Sequence, residues 1–356
     1  MIWLLVFTAL ILAAMEALSM RFDPARLGVR MSVSKALAEP DEPFDLIVTL
    51  TNRSRVFLPF LRVSFHMPEG MNAVDRGKQH RMRLIAGSDL SVTAWMRPRQ
   101  QLTLRFPVSA EKRGIYRVMQ AEIESGDFLG LTERRESFSV YTETVIAPRK
   151  IETDALSRLP GSFPGDMSVR RYLYEDPMFT VGFGEYTGRE PMRAISWNAS
   201  ARAARMMVKQ YDHTVEMSVS VVLNIAGAGH DALPPIEACF RLCRSVCEQL
   251  EEKRVRYRVY ANADPIGRRN GNTLAEEGLG QRHLETLLEN LGRAAEIPSC
   301  DGEALLAKTL RRGETCAGIV LVTPVRDELL IARAQRIADE HGTQLAVYIP
   351  RMEEAA

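Results

Sequence analysis

The sequence predicts three parts in series: an N-terminal transmembrane helix, an all-β sandwich of immunoglobulin-like type, and a doubly wound α/β domain. Three observations carry this. The first fifteen residues contain no charged side chain, short alternating strands fill residues 29–147, and continuous apolar strands alternate with amphipathic helices across residues 217–350.

Residues 1–20 read MIWLLVFTALILAAMEALSM, with Glu16 the only charge before Arg21. Roughly 20 apolar residues cross a bilayer core, and Trp3 suits an interfacial anchor. Arg21, Arg26 and Arg30 follow the span against Asp23 alone. The positive-inside tendency therefore expects a single-pass protein of the cell membrane with the bulk of the chain cytoplasmic. The five cysteines include no CxxC pair, and Cys239, Cys243 and Cys247 recur at four-residue spacing along one helical stripe. That pattern suits buried thiols in a reducing compartment better than a metal site. A net charge of +1 provides no field that would recruit nucleic acid.

In the sandwich region, FDLIVTLTN places Phe44, Leu46, Val48 and Leu50 on one face. LRVSFHMP, LSVTAWMRP, QLTLRFPVSA, GIYRVMQAEIES and SFSVYTETVIAP follow, separated by turn residues. This rhythm predicts a sandwich of about seven strands. Residues 148–216 form a connector. Its loop carries a basic and aromatic strip at Arg170, Arg171, Tyr172 and Tyr174.

From residue 217 the strands MSVSVVLNI, VRYRVYANAD, AGIVLVTP and TQLAVYIP are separated by helical segments, the pattern of a mostly parallel sheet covered on both faces. A ligand in such a domain sits at the carboxyl ends of the strands. The first strand ends in NIAGAGHDA, where two chemistries compete. Gly227, Gly229 and Ala232 match a dinucleotide fingerprint, which would make the chain an oxidoreductase. The acid it needs about 20 residues on is missing, because Asp264 lies 37 residues after Gly227. The second chemistry is the metal-ion-dependent adhesion site of von Willebrand factor A domains, whose D-x-S-x-S loop gathers oxygens around a divalent cation. Here those positions are Asn224, Ala226 and Ala228, and the later strand adds only Thr323 before Pro324. The loop has lost its carboxylate and both hydroxyls, so no metal and no cofactor are expected. No HExxH, nucleophile elbow or P-loop is present, and the six histidines are scattered. Nothing in this pattern fixes a reaction, and no enzyme is expected.

The least ordinary stretch is GEYTGREPMRAISWNASARAARMMVKQYD, beginning at Gly184. Its physical reading is a clasp between the sandwich and the α/β domain. Ile195 and Trp197 pack inward, Arg193 and Arg202 meet Glu185 or Glu190, and RMMVKQYD runs as an edge strand beside MSVSVVLNI. Tyr186, Arg193, Trp197 and Arg202 are also types that dominate binding interfaces.

This stretch resembles the signature of the domain of unknown function 58 family, roughly R-E-Y-x-x-G-D-x-x-R-x-I-x-W-x-x-S-A-R. Glu185, Tyr186, Gly188, Arg193, Ile195, Trp197, Ser200, Ala201 and Arg202 fall on matching positions, while Gly184 replaces the leading Arg and the Asp has become Arg189-Glu190. Upstream, RGIYRVMQAEIESGDFLGL is similar to a second family segment. The resemblance implies a von Willebrand factor A-like α/β domain and a membrane-tethered, non-enzymatic scaffold or adaptor. Its partner would be a MoxR-type AAA+ ATPase, docked through Glu185, Tyr186, Arg193, Trp197, Ser200 and Arg202. An extracellular adhesion module, with the opposite orientation, is the other binding reading.

Overall fold

A computed structural model describes residues 2–19, 24–74, 82–85, 89–127, 132–151, 180–187, 192, 195–211, 218–227, 233–267, 271–309, 316 and 318–350. The loop strip from Arg170 to Tyr174 lies outside these residues.

The first helix, α1 (Ile2–Ser19), has 18 residues and leaves Trp3, Leu4, Phe7 and Leu10 exposed. The transmembrane expectation is corrected here. Among the described residues no helix is long and apolar enough to cross a membrane. At 1.5 Å per residue the 18 residues of α1 cover about 27 Å, the lower end of what a span requires. It also carries the carboxylate of Glu16 within its last turn.

Ten strands follow: β1 (Leu27–Val33), β2 (Leu37–Ala38), β3 (Phe44–Asn52), β4 (Leu58–His66), β5 (Met71–Ala73), β6 (Met82–Ile85), β7 (Asp89–Met96), β8 (Gln101–Ala110), β9 (Gly114–Gly126) and β10 (Glu133–Ile146). They form a four-stranded sheet, β1-β3-β8-β5, and a six-stranded sheet, β2-β10-β9-β4-β7-β6. Strict alternation along β3 buries Phe44, Leu46, Val48 and Leu50 in the core between the sheets, with Leu61, Val63, Phe106 and Val118. The sandwich is thus richer than the seven strands read from sequence, because β2, β5 and β6 are two to four residues long and too short to show a period.

Next comes a two-stranded antiparallel ribbon, β11 (Thr180–Glu185) with β12 (Met207–Tyr211), carrying the short helix α2 (Trp197–Ala203) between its strands. The expectation that RMMVKQYD borders MSVSVVLNI is corrected: β12 pairs with β11, and its other described neighbour is the bridge from Val208 to Ile195.

The last domain contains β13 (Val219–Leu223), α3 (Leu233–Glu252), β14 (Tyr257–Ala261), β15 (Thr273–Gly278), α4 (Gln281–Arg293), α5 (Gly302–Thr309), β16 (Gly318–Val322), α6 (Glu328–Glu340) and β17 (Gln344–Tyr348). The sheet order is β15-β14-β13-β16-β17, parallel except for β15. Strand β15 escaped the sequence reading because TLAEEG carries two glutamates and little apolar pattern. Helices α3 and α4 cover one face, where Phe240, Cys239, Cys243, Leu287 and Leu291 pack on Val221 and Val259. Helices α5 and α6 cover the other, with Leu305, Leu306, Leu330 and Ala334 against Val222 and Leu321. All three cysteines of the α3 stripe are fully buried, and burial raises the Cys239 thiol pKa.

The sandwich and the α/β domain meet along a polar seam. Arg113, before β9, has a side chain only 2% exposed. It donates to Glu237 Oε2 at 2.9 Å and to the carbonyls of Leu291 and Ala294 at 3.0 and 2.8 Å, 3.8 Å above the Phe240 ring. Arg244 of α3 donates to Glu39, to Glu248 and to the carbonyl of Pro148. Arg293 at the end of α4 reaches Glu143 of β10. Gly292 lies where a Cβ would meet Val145 Cγ1 at 2.4 Å and the Ile146 carbonyl oxygen at 2.7 Å, so only glycine fits.

Candidate functional site

Strands β13 and β16 are neighbours in the sheet, and the chain leaves them toward opposite edges. The crevice at their carboxyl ends is the topological switch point where doubly wound domains take ligands. Asn224 directly follows β13 and Thr323 directly follows β16, so the fold brings these two sequence-selected residues together. The Asn224 Nδ2 donates to Thr323 Oγ1 at 3.1 Å and to the Ala226 carbonyl at 3.2 Å. Its Oδ1 accepts from the Ala226 N–H at 3.1 Å and from Asn262 Nδ2 at 2.7 Å. An amide has two donors and two acceptor sites, and all four are satisfied within the protein.

Asn262, one residue beyond β14, completes the network and is fully buried. Its Oδ1 accepts from the Ile225 N–H at 2.8 Å, and its Nδ2 also donates to the Cys300 carbonyl at 2.9 Å. Sequence reasoning passed over it. The signal was present as a polar residue directly after a parallel strand, the same position that Asn224 occupies. Thr323 Oγ1 in turn donates to the Val325 carbonyl at 3.2 Å. Gly302, at the start of α5, closes the crevice from above, since a Cβ there would lie 3.1 Å from Asn224 Cγ. The side-chain oxygens a hard cation would need here therefore already accept N–H groups of the protein. Ala228 lies outside the described residues. Asp264, the acid considered for a ribose, is solvent-exposed.

The second candidate is the ribbon with α2. Its scaffold rests on two serines. The Ser196 hydroxyl caps α2 by accepting from the Ala199 N–H at 3.4 Å, and its own N–H donates to the Met207 carbonyl at 2.9 Å. The Ser200 hydroxyl donates to the Ser196 carbonyl and accepts from the Met207 N–H, each at 2.8 Å. Ser200 is thus a tie between helix and strand. Ser196 is a further tie that the sequence reading did not single out, although Ser directly before a helix is an ordinary cap signal. Tyr186 packs on the small core of Ile195 and Val208.

The remaining sequence-selected residues behave differently. Trp197 does not pack inward: it is 66% exposed, because the first residue after the cap points away from the Ile195–Val208 core. Glu185 pairs with Arg205 rather than with Arg202. Arg202 is exposed, and Arg193 and Glu190 lie outside the described residues. Helix α2 buries none of its residues, and Phe183, Met192 and Met206 are also exposed.

No family model matches the chain, and no curated protein matches it. Among solved structures it is similar to a non-cellulosomal cohesin from the hyperthermophilic archaeon Archaeoglobus fulgidus, at 13% identity, covering 33% of this chain and 90% of that one with a TM-score of 0.23. It is also similar to the full-length major pilin SpaD from Corynebacterium diphtheriae, at 10% identity, covering 33% of this chain and 35% of that one with a TM-score of 0.28. At these scores the likenesses carry no argument, and the sandwich rests on its own strand pairing. None of the comparisons supports the von Willebrand factor A label, and that expectation is withdrawn.

Proposed function

We propose that this chain is a non-enzymatic adaptor that works by protein contact, with a MoxR-type AAA+ ATPase as its partner, as a member of the domain of unknown function 58 family. The observation that supports this reading is the ribbon of residues 180–211. It keeps a very small core of its own and leaves Trp197, Phe183, Met192 and Met206 in solvent, while among the described residues of the switch-point crevice Asn224, Asn262 and Thr323 are engaged with one another and with the backbone. None of the five cysteines stands in a disulfide, which supports a cytoplasmic body.

The test is capture of partners by the tagged full chain after cross-linking in cells, with identification by mass spectrometry. The expected result is a AAA+ ATPase recovered reproducibly and in stoichiometric amount. Repeated captures without any such ATPase would overturn the reading.

A further inference from the structure

A two-stranded ribbon is marginally stable in water by itself and gains stability from a third strand or a packed face. Among the described residues, β11 and β12 have no further strand beyond the single bridge at Ile195, and α2 lies on them without burying a residue. Four large apolar side chains, Phe183, Met192, Trp197 and Met206, are between 43% and 69% exposed within this one small unit. Exposed apolar patches of this kind, interleaved with basic residues, mark interaction surfaces.

The charge of the unit gives the partner a sign. Its described residues carry three basic side chains, Arg202, Arg205 and Lys209, against the single acid Glu185. Glu185 is engaged with Arg205, which leaves Arg202 and Lys209 as an excess of two positive charges with no described ion-pair partner. Lys209 stands directly opposite Phe183 in the ribbon, so the two share one face and offer a cation beside an exposed ring.

We infer that this ribbon binds an acidic segment of a partner protein that also presents aromatic or aliphatic side chains. The apolar residues of the segment cover Trp197 and Phe183, and its carboxylates meet Arg202 and Lys209. This deepens the adaptor reading by naming the chemistry of what docks.

The experiment uses random peptides displayed on phage, selected against the immobilised full chain. A parallel selection uses the triple variant Trp197→Ala, Arg202→Glu, Lys209→Glu, in which all three changed residues are solvent-exposed. A third arm carries Arg105→Glu on the sandwich as a charge control. The expected enrichment is for net-negative peptides with aromatic or aliphatic residues. Their binding should fall about tenfold or more on the triple variant, stay unchanged on the control, and weaken with added salt. Enriched peptides without a negative bias, or equal binding to the triple variant, would overturn the inference, as would no enrichment at all. The two readings fail separately. Acidic peptides selected without any ATPase captured would remove the adaptor reading alone, whereas an ATPase captured equally by the triple variant would remove this surface alone.

Discussion

At the carboxyl edge of the α/β sheet, Asn224, Asn262 and Thr323 are linked by hydrogen bonds of 2.7 and 3.1 Å and are almost wholly buried. The ribbon of residues 180–211 does the reverse. Its serines close its backbone, but its large side chains and two cations remain in water. The first region has the position of a ligand site in a doubly wound fold and the chemistry of a structural knot. The second leaves Phe183, Met192, Trp197 and Met206 exposed among its described residues, which is the feature behind the proposed contact face. Position in a fold therefore indicates where to look, and unsatisfied groups indicate where work is done.

The contrast can be broken most forcefully outside both regions, at the seam that holds the body together. Arg113→Ala removes a buried guanidinium and leaves the Leu291 and Ala294 carbonyls without their donor. It is expected to cost about 3 kcal/mol in urea denaturation, from the stranded Ala294 carbonyl and the lost contact with the Phe240 ring, since Glu237 keeps access to water. A loss under 1 kcal/mol would show that the seam is loose. Next in size is Asn262→Ala, which strands the buried Ile225 N–H and removes one of the two donors to Asn224 Oδ1 and the Asn262 donor to the Cys300 carbonyl, for a loss of roughly 2–3 kcal/mol. A neutral outcome would mean that water replaces the amide and that the crevice is open after all.

The third prediction concerns pH. Partial burial alone would raise the Glu143 pKa, but hydrogen bonds from Tyr141, Arg293 and Arg117 outweigh it and hold the carboxyl at about 2. An unfolded Glu titrates near 4.3, so the folded state prefers the charged form. The stabilisation is complete above the unfolded pKa and is lost as the pH falls through about 2. Glu143→Gln should therefore cost on the order of 2–3 kcal/mol at neutral pH, with the gap to the parent closing toward pH 2. A gap that stays constant with pH would detach Glu143 from the seam.

The smallest effects separate the two kinds of residue within the ribbon itself. Ser200→Ala is expected to lose about 1 kcal/mol locally, read as faster hydrogen exchange at the Met207 amide. Trp197→Ala should change stability by less than about 0.5 kcal/mol. If Trp197→Ala proved the more damaging of the two, the tryptophan would belong to a core and the ribbon would lose its claim as a contact surface.

Legibility in the sequence followed the strength of the local period. The alternation of β3 and the continuous apolar runs of β13 and β16 each bury the residues their patterns pick out. Asn224 and Thr323 were legible as strand-end residues because an apolar run gives its end away. Asn262 was missed because its strand, with Arg258 and Tyr260 alternating outward, reads as half-exposed. For α1 a lack of charge describes composition, whereas crossing a bilayer asks for length and apolarity together. Trp197 was misplaced for a similar reason: its residue type favours burial, but its place one residue after the Ser196 cap settles its direction.

Gly292 leaves one further mark on the molecule. Where α4 crosses β10, a single hydrogen atom occupies the space between helix and strand, and even a methyl group would strike the backbone of the opposing domain. A joint with that clearance has no slack in compression. How closely α4 can lie on β10 at this point is set by what is missing from one residue.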